Sequence, residues 1–270
     1  MIHVATVHHK SPKWIDIQLA YLERNISEPF RVVANLEDVD PSYEKRFDRV
    51  VPGLGRHAGK LNLLAAEIAA EGDPDDLMMF LDGDAFPIAD PMPVVRNALS
   101  TVPLVAVRRD ENGHDPQPHP CFCVMRIRDW ERLHGDWSMG YAWENDWAGQ
   151  ITDVGANLLA TLRREQIPWE PLVRTNRVDL HPLWFAVYGD IVYHHGAGFR
   201  DPLAARRAVV EQPSRWKRGE TLPGVGLAIR KLASARIKFW TDREVQAGRR
   251  LGDEIFTQIE NDPEFYRQFL

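Results

Sequence analysis

The sequence predicts an α/β protein built around an open, mainly parallel sheet. Short apolar runs alternate with segments of helical periodicity along most of the chain, and this alternation is typical of strands joined by right-handed helical crossovers. The run at residues 77–81 is continuously apolar, as expected for a strand buried on both faces. We expect the sheet to occupy residues 1–200 and a helical extension to occupy residues 201–270.

Composition and charge exclude several classes of protein. The 270 residues are 44% hydrophobic and 27% charged, which is ordinary for a globular chain with a sizeable core. A net charge of −6 gives no overall case for binding nucleic acid. The only cysteines, Cys121 and Cys123, predict no disulfide framework. The first apolar run is too short for a signal peptide, and none reaches the roughly 18 apolar residues of a membrane helix, so we expect a cytoplasmic protein.

The first 71 residues contain three predicted strands and two predicted helices. Apolar residues three or four apart, such as Ile15, Leu19 and Leu22, indicate one face of the first helix. The predicted elements are strands at 2–7, 30–36 and 48–51 and helices at about 13–24 and 60–71.

Glycines precede the second helix, but they do not form a phosphate-binding loop of the usual kind. That motif requires four residues between its glycines and a Ser or Thr after its Lys, whereas five residues separate Gly53 from Gly59 and Leu61 follows Lys60. Lys60 lies in the first helical turn, where the helix dipole disfavours a cation unless an anion is close. Lys60 is therefore either a ligand for an anion or a solvated side chain.

The rest of the chain continues the alternation and then becomes helical. Asp90 is a suitable N-cap before Pro91, which suits the first helical position. The predicted strands are 103–108, 121–127 and a β-rich stretch at 184–193, and the predicted helices are 90–99, 152–164, 203–211, 226–238, 242–259 and 263–270.

Two carboxylates follow the apolar run at 77–81. Asp82 and Asp84 lie at the carboxyl end of this predicted strand, with Gly83 between them, and the carboxyl ends of parallel strands border the ligand crevice of an open sheet. Two carboxylates placed in this way can converge on Mg²⁺ or Mn²⁺, which prefer oxygen ligands. The alternative is a surface turn, because Asp and Gly are common turn residues.

This segment resembles the DXD motif of GT-A fold glycosyltransferases. An apolar strand is followed by Asp82-Gly83-Asp84, then by an apolar residue and Pro87. The resemblance implies a nucleotide-diphospho-sugar transferase fold with a Rossmann-like mixed sheet over 1–200. It also implies a nucleotide-sugar donor, with a UDP-sugar favoured, held through Mn²⁺ or Mg²⁺ on Asp82 and Asp84.

Two further sequence features resemble those of the retaining family 8 glycosyltransferases. His195 and Gly198 match the His-x-x-Gly step in which the family's His completes the metal site, and His194 is the adjacent competitor. The family continues with Lys-Pro where this chain has Asp-Pro, so Arg200 would supply the cation for the diphosphate. Asp153 resembles the Asp that faces the donor sugar, although helix capping explains it equally well. The resemblance implies transfer with net retention.

The same resemblance assigns donor-binding residues elsewhere in the chain. The end of the first strand, Ala5-Thr6-Val7, would border the nucleotide base. Lys60 and, with less support, His57 would meet the donor diphosphate, and Gly83 would lie against it.

An aromatic segment follows the predicted strand at 121–127. Aromatic faces with carboxylates at their edges are suited to sugar rings, and an irregular core segment is the alternative. Within it, Glu144 and Asp146 join Asp153 as candidate general bases if the enzyme inverts the anomeric centre. The aromatic residues are Trp137, Tyr141, Trp143 and Trp147.

Other functions and partners remain open. A sugar nucleotidyltransferase usually has a Gly-rich basic loop directly after its first strand, and residues 8–12 contain no glycine. A non-catalytic sugar-binding module would account for the aromatic residues without a metal. Residues 206–238 carry nine Arg or Lys against Glu211 and Glu220, which suits a solvated helical face, an anionic surface or acceptor, or a homodimer contact.

Overall fold

The elements of the fold follow the alternation that the sequence predicts. The structure is a computed structural model that describes residues 1–146, 148–196 and 225–270, of which 225–241 and 244 are described by their backbone only. The strands are β1 (Ile2–His9), β2 (Phe30–Glu37), β3 (Arg49–Val50), β4 (Leu77–Asp82), β5 (Ala85–Pro87), β6 (Leu104–Val107), β7 (His119–Arg126), β8 (Trp143–Asn145), β9 (Gly149–Ile151), β10 (Glu170–Leu172), β11 (Ala186–Tyr188) and β12 (Val192–His194). The helices are α1 (Ile15–Asn25), α2 (His57–Glu71), α3 (Met92–Ala98), α4 (Ile127–Arg132), α5 (Ala156–Arg164) and α6 (Val225–Asn261), with 3₁₀ helices at Pro41–Arg46 and Phe265–Phe269.

The main sheet has seven strands in the order β10-β6-β7-β4-β1-β2-β3. Strand β7 runs antiparallel to β4 and β6, and the other neighbouring pairs are parallel. The predicted α/β class, with a mixed sheet and a helical C-terminal part, is therefore confirmed. Because β4 lies between β1 and β7, its carboxyl end opens near the middle of the sheet edge, where open α/β sheets bind ligands.

Helices cover both faces of this sheet because successive side chains of a buried strand point to opposite faces. Met79 packs in the cluster that includes Leu22 of α1, whereas Phe80 packs in the cluster that includes Leu64 of α2. Both cysteines are buried free thiols, in agreement with the absence of a predicted disulfide framework. Each fully buried Met, Leu or Phe side chain in these clusters contributes about 1.5–3 kcal/mol to the free energy of unfolding.

The C-terminal residues pack beside a second, three-stranded sheet of order β11-β12-β5. Ile255 and Phe265 join Trp14 and Phe86 in one buried cluster. The two helices predicted at 226–238 and 242–259 form the single helix α6, because residues 239–241 contain neither Gly nor Pro to end it. None of the described helices combines the length and apolarity needed to cross a membrane.

Two predicted helix starts lie a few residues early. Asp90 Oδ1 accepts a hydrogen bond from the Met92 amide at 2.9 Å, and α3 begins at Met92. The helix predicted from Thr152 begins at Ala156, since Gly155 has a φ of 90°, a left-handed conformation outside helical geometry. The helix predicted at 203–211 and the boundary between residues 200 and 201 lie outside the described residues.

Candidate metal and ligand site

Residues 82–84, here called the acidic turn, connect β4 to β5 and are held in place by helix α1. The buried Gln18 side chain donates to the backbone carbonyls of Asp82 and Ala85, both at 2.8 Å. Its oxygen accepts from Thr6 Oγ1 at 2.9 Å and from His8 Nε2 at 3.2 Å. A side-chain amide has two donors and two acceptor positions. Gln18 uses both donors on the backbone on either side of the turn and both acceptor positions on side chains of β1.

The pairing of β12 with β5 brings a histidine to the acidic turn. His194 lies opposite Ala85 in this antiparallel pair, one residue from Asp84. Its Nε2 is 3.7 Å from Asp82 Oδ2 and 3.5 Å from Asp84 Oδ1. One ligand atom from each of these three residues lies within 4.8 Å of the other two.

These three side chains form a donor set that fits a divalent cation. Two carboxylate oxygens suit Mg²⁺ or Mn²⁺, and the additional imidazole nitrogen favours Mn²⁺ of the two, because Mg²⁺ prefers oxygen ligands. Asp84 and His194 are buried and Asp82 is partly buried, so that a cation held there would be partly shielded from water.

His195, the residue predicted as the third ligand, lies in different surroundings. Its ring centroid is 4.7 Å from that of Trp14 and 4.9 Å from that of Phe185. Its Nδ1 is 3.1 Å from the Tyr193 hydroxyl, and burial lowers the pKa of His195 to about 3. The structure thus brings His194 rather than His195 to the carboxylates, because His194 is the residue that the β12–β5 pairing aligns with the turn.

Both carboxylates of the acidic turn favour the ionised form. Burial acts to raise the pKa of Asp82, but the hydrogen bond from His57 and the charges of nearby histidines outweigh it and hold the pKa below its usual range. Burial likewise acts to raise the pKa of Asp84, and the charge and hydrogen bond of His194 reverse the direction. Two adjacent negative charges at neutral pH are an electrostatic reason to bind a cation.

The acidic turn opens into a cavity of about 400 Å³, here called the cleft. Its rim runs from the carboxyl ends of β1 and β2 across the carboxyl end of β4 to the carboxyl end of β6 and the start of β7. The cleft is lined by Val7, His9, Glu37, Gly55, His57, Lys60, Asp82, Gly83, Asp84, Arg109, His119, Pro120, Asp153, Val154, His194 and Gly196.

Several predicted donor-binding residues line the cleft. Val7 and Gly83 do so directly, whereas Ala5 lies in the core and Thr6 donates to Gln18. His57 Nε2 is 3.0 Å from Asp82 Oδ1, so His57 contacts the acidic turn itself. Arg200 lies outside the described residues.

Lys60 also lines the cleft, but its charge is already paired. Its ammonium forms an ion pair with Glu37, the last residue of β2. His9 Nδ1 lies 2.7 Å from the same Glu37 carboxylate, and the hydrogen bond from Lys60 lowers the pKa of Glu37. The structure therefore places a carboxylate between two basic groups at the β1–β2 end of the cleft, rather than a free lysine.

Of the three candidate bases, one lies at the cleft. Asp153 is among the lining residues, and Glu144 and Asp146 are not. Glu144 is exposed on β8, and the exposed Asp146 carboxylate lies 2.6 Å from His114 Nδ1.

The aromatic segment forms core packing more than a ligand surface. Trp137 is fully buried, with its ring 4.9 Å from that of Phe80 in an edge-on contact. Trp143 is buried and its Nε1 donates to Asp115 Oδ1 at 3.3 Å, and Tyr141 is half-buried. The expectation that these residues line a sugar pocket is wrong for Trp137, which packs in the cluster on one face of the main sheet. It is also wrong for Trp143, which packs against Ala156 and Leu159 of α5. Trp147 lies outside the described residues.

Sequence reasoning missed three functional candidates, namely Gln18, Arg109 and His119. Gln18 looks like an ordinary polar position of an amphipathic helix, and only the contacts across the sheet reveal its role. Arg109 and His119 flank the loop at 110–118, which has no packing pattern. Arg109 directly follows the strand predicted at 103–108, which was the available signal, whereas His119 lies two residues before the strand predicted at 121–127.

Comparisons with known proteins identify distant structural likenesses. No protein-family model matches the sequence, and no curated protein matches it. Similar solved structures include the mannosyltransferase PcManGT from Pyrobaculum calidifontis in complex with GDP-Man and Mn²⁺, at 15% identity over 92% of this chain and 73% of that chain, with a TM-score of 0.44. Glucosyl-3-phosphoglycerate synthase from Mycobacterium tuberculosis shows 16% identity over 64% of this chain and 70% of that chain, with a TM-score of 0.41.

A third likeness is to S. aureus TarS, at 11% identity over 51% of this chain and with a TM-score of 0.38. The match covers only 30% of the TarS chain.

Proposed function

We propose that this chain is a metal-dependent glycosyltransferase that moves a sugar from a nucleoside-diphosphate sugar to an acceptor. The observation that carries the proposal is the convergence of Asp82, Asp84 and His194 within 4.8 Å. They lie at the carboxyl end of the central strand β4, inside a cleft large enough for a small ligand. The resemblance of residues 77–87 to the DXD segment supports the same function.

In this proposal the two ends of the cleft bind different parts of the donor. The nucleoside lies at the β1–β2 end, where the Glu37 carboxylate can accept hydrogen bonds from ribose hydroxyls, as acidic residues at strand ends do in other nucleotide-binding sheets. His9 and Lys60 orient that carboxylate through their contacts with it. The sugar then lies beyond the acidic turn, toward Asp153 and Val154.

The residues of the acidic turn have a defined chemical task in this function. Asp82, Asp84 and His194 would hold Mn²⁺, or less favourably Mg²⁺, against the donor diphosphate. A cation bound there supplies charge that offsets the negative charge developing on the nucleotide as the sugar bond breaks. Gln18 keeps the turn in the conformation that presents both carboxylates, so the site is organised before the donor binds.

The stereochemical course depends on the role of Asp153. Asp153 is the one candidate base that lines the cleft, at the start of the segment leading into α5. We propose retention, as the resemblance to family 8 implies, with Asp153 near the sugar. Inversion would instead assign to Asp153 the removal of the acceptor proton.

A donor screen tests the proposal. The full chain is mixed with UDP-, GDP- and other nucleotide sugars, with Mn²⁺ or with EDTA, and the midpoint of thermal unfolding and nucleotide release are recorded. A ligand that binds only the native state raises the midpoint. We expect a rise and nucleoside-diphosphate release that require Mn²⁺, and both are lost in Asp84→Asn.

The other classes predict different products in the same screen. Inorganic diphosphate consumed or released with a nucleoside triphosphate and a sugar phosphate would identify a nucleotidyltransferase. Sugar binding that is independent of Mn²⁺ and gives no turnover would identify a binding module. Either result overturns the glycosyltransferase proposal.

A further inference from the structure

Two hydrogen-bond donors meet in the cleft without an acceptor between them. Arg109 follows β6 and His119 begins β7, and both line the cleft. The distance from Arg109 Nη1 to His119 Nε2 is 3.3 Å. Whether this contact is a hydrogen bond depends on which ring nitrogen of His119 carries the proton.

A backbone hydrogen bond within β7 shows which ring nitrogen of His119 carries the proton. The Cys121 amide donates a hydrogen bond to His119 Nδ1 at 3.1 Å, so Nδ1 must carry the lone pair. An imidazole with a lone pair on Nδ1 is neutral and has its single N–H on the other nitrogen. Nε2 therefore bears the hydrogen. A guanidinium has donors only, so the contact between Arg109 and His119 joins two donors.

Arg109 forms no direct ion pair in the described part of the chain, and the carboxylates of Glu111 and Asp115 act on it from a greater distance. No carboxylate oxygen of the described residues lies within the 4.0 Å that defines an ion pair, and its Nε is buried without a hydrogen-bond partner. The neighbouring Arg108 shows the contrast, because its guanidinium holds both oxygens of Asp110 at 2.7 and 2.9 Å. A cation and an N–H that lie 3.3 Å apart in a cleft can both donate to one negatively charged oxygen.

We propose that Arg109 and His119 form a subsite for a negatively charged oxygen of the substrate, either a phosphate or a carboxylate oxygen. The proposal rests on the proposed function, since it assigns this oxygen to the donor or acceptor of that reaction. The subsite lies on the β6–β7 side of the acidic turn, opposite the β1–β2 end where Glu37 lies. It thus receives either the far side of the donor diphosphate or a charged group on the transferred sugar or the acceptor.

The acidic turn influences this subsite. The carboxylate of Asp82 acts on His119 across the cleft, and both carboxylates of the acidic turn repel any anion that enters the cleft they line. A cation on those carboxylates removes the repulsion. Oxyanion binding at Arg109 is therefore expected to strengthen when Mn²⁺ is present.

Calorimetry with simple anions tests the subsite. Inorganic phosphate, inorganic diphosphate and UDP are titrated into the full chain and into Arg109→Gln and Arg109→Lys, each with and without Mn²⁺. We expect Arg109→Gln to weaken at least one of the three by about tenfold or more and Arg109→Lys to weaken it less, because Lys keeps the charge but not the fork geometry. Arg108→Gln is the matched control and leaves all three affinities unchanged.

Which anions lose affinity in Arg109→Gln identifies the substrate group that supplies the oxygen. Loss of diphosphate and UDP affinity in Arg109→Gln assigns the subsite to the donor diphosphate. Unchanged UDP affinity with loss of phosphate binding assigns it to a charged sugar or acceptor group. Equal affinities of the parent and Arg109→Gln for all three anions, with melting midpoints that show both are folded, overturn the proposal.

The tautomer of His119 is a second test that does not require activity. Nitrogen-15 NMR of the imidazole, assigned by comparison with His119→Gln, should show a protonated Nε2 and an unprotonated Nδ1. A protonated Nδ1 would make the Arg109 contact an ordinary hydrogen bond and remove the basis of the subsite. Arg109-dependent phosphate binding in a chain that transfers no sugar would retain the subsite and reject the glycosyltransferase function, so the two failures are distinguishable.

Discussion

His194 and His195 are neighbours in the sequence, but their imidazole rings have separate surroundings. His194 Nε2 lies 3.5 Å from Asp84 Oδ1, and the His195 ring lies 4.7 Å from Trp14 in the aromatic cluster. We therefore expect His194→Ala to weaken Mn²⁺ binding with little change in the melting midpoint. His195→Ala should instead lower the free energy of unfolding by about 1–3 kcal/mol. Calorimetry with Mn²⁺ and urea denaturation measure the two effects, and the reverse pattern would show that His195 is the ligand.

Asp84→Ala should remove Mn²⁺-dependent binding of UDP and leave the fold intact. The carboxylate lies in the turn between β4 and β5, outside the two hydrophobic clusters of the main sheet, and supplies one of the clustered ligand atoms. Calorimetry of UDP with Mn²⁺ is the measurement, and Asp146→Ala, at an exposed carboxylate outside the cleft, is the control. Unchanged Mn²⁺-dependent affinity in Asp84→Ala would reject the metal site.

Gln18 is expected to act on the metal through the acidic turn. In Gln18→Glu, a carboxylate replaces the amide that donates to the carbonyls of Asp82 and Ala85, so both acceptors lose their donor and face a like-signed group. Loss of such supporting contacts typically costs 10–100-fold in metal affinity. We expect a weaker Mn²⁺ affinity at a temperature where the variant is still folded. A variant that is less stable but binds Mn²⁺ normally would reduce Gln18 to a purely structural role.

The buried His8 should make stability depend on pH. Burial lowers the pKa of His8 to about 4 in the folded chain, below the ordinary value of about 6.5. The unfolded chain therefore binds the proton first, and the contribution of His8 to stability is lost as the pH falls from about 6.5 toward 4. Urea denaturation of metal-free protein across this range should show a shallower pH dependence in His8→Gln. Identical slopes in the two proteins would contradict the lowered pKa.

Product stereochemistry tests the position of Asp153. With an α-linked donor, proton NMR of the fresh product should show an α-anomeric signal, as expected for retention. In that case, Asp153→Asn should leave part of the activity, because no base has been removed. A β-anomeric product together with loss of turnover in Asp153→Asn would make Asp153 the general base of an inverting enzyme.

The sequence by itself determined the features that depend on local pattern. The apolar run at 77–81 predicts a buried strand, and Asp82-Gly83-Asp84 directly after it predicts a pair of carboxylates at the carboxyl end of that strand. Alternation of strands and helices was sufficient to predict the α/β class. These inferences hold because side-chain periodicity and turn chemistry act within a few residues of each other.

Only the tertiary structure decided which distant residues join the acidic turn. The antiparallel pairing of β12 with β5 selects His194 over His195, and a one-residue change in strand register would exchange them. The packing of α2 beside β2 likewise places Lys60 in an ion pair with Glu37. The pairing of β6 with β7 places Arg109 beside His119. Such contacts depend on the order and register of strands far apart in the chain, which no local pattern specifies.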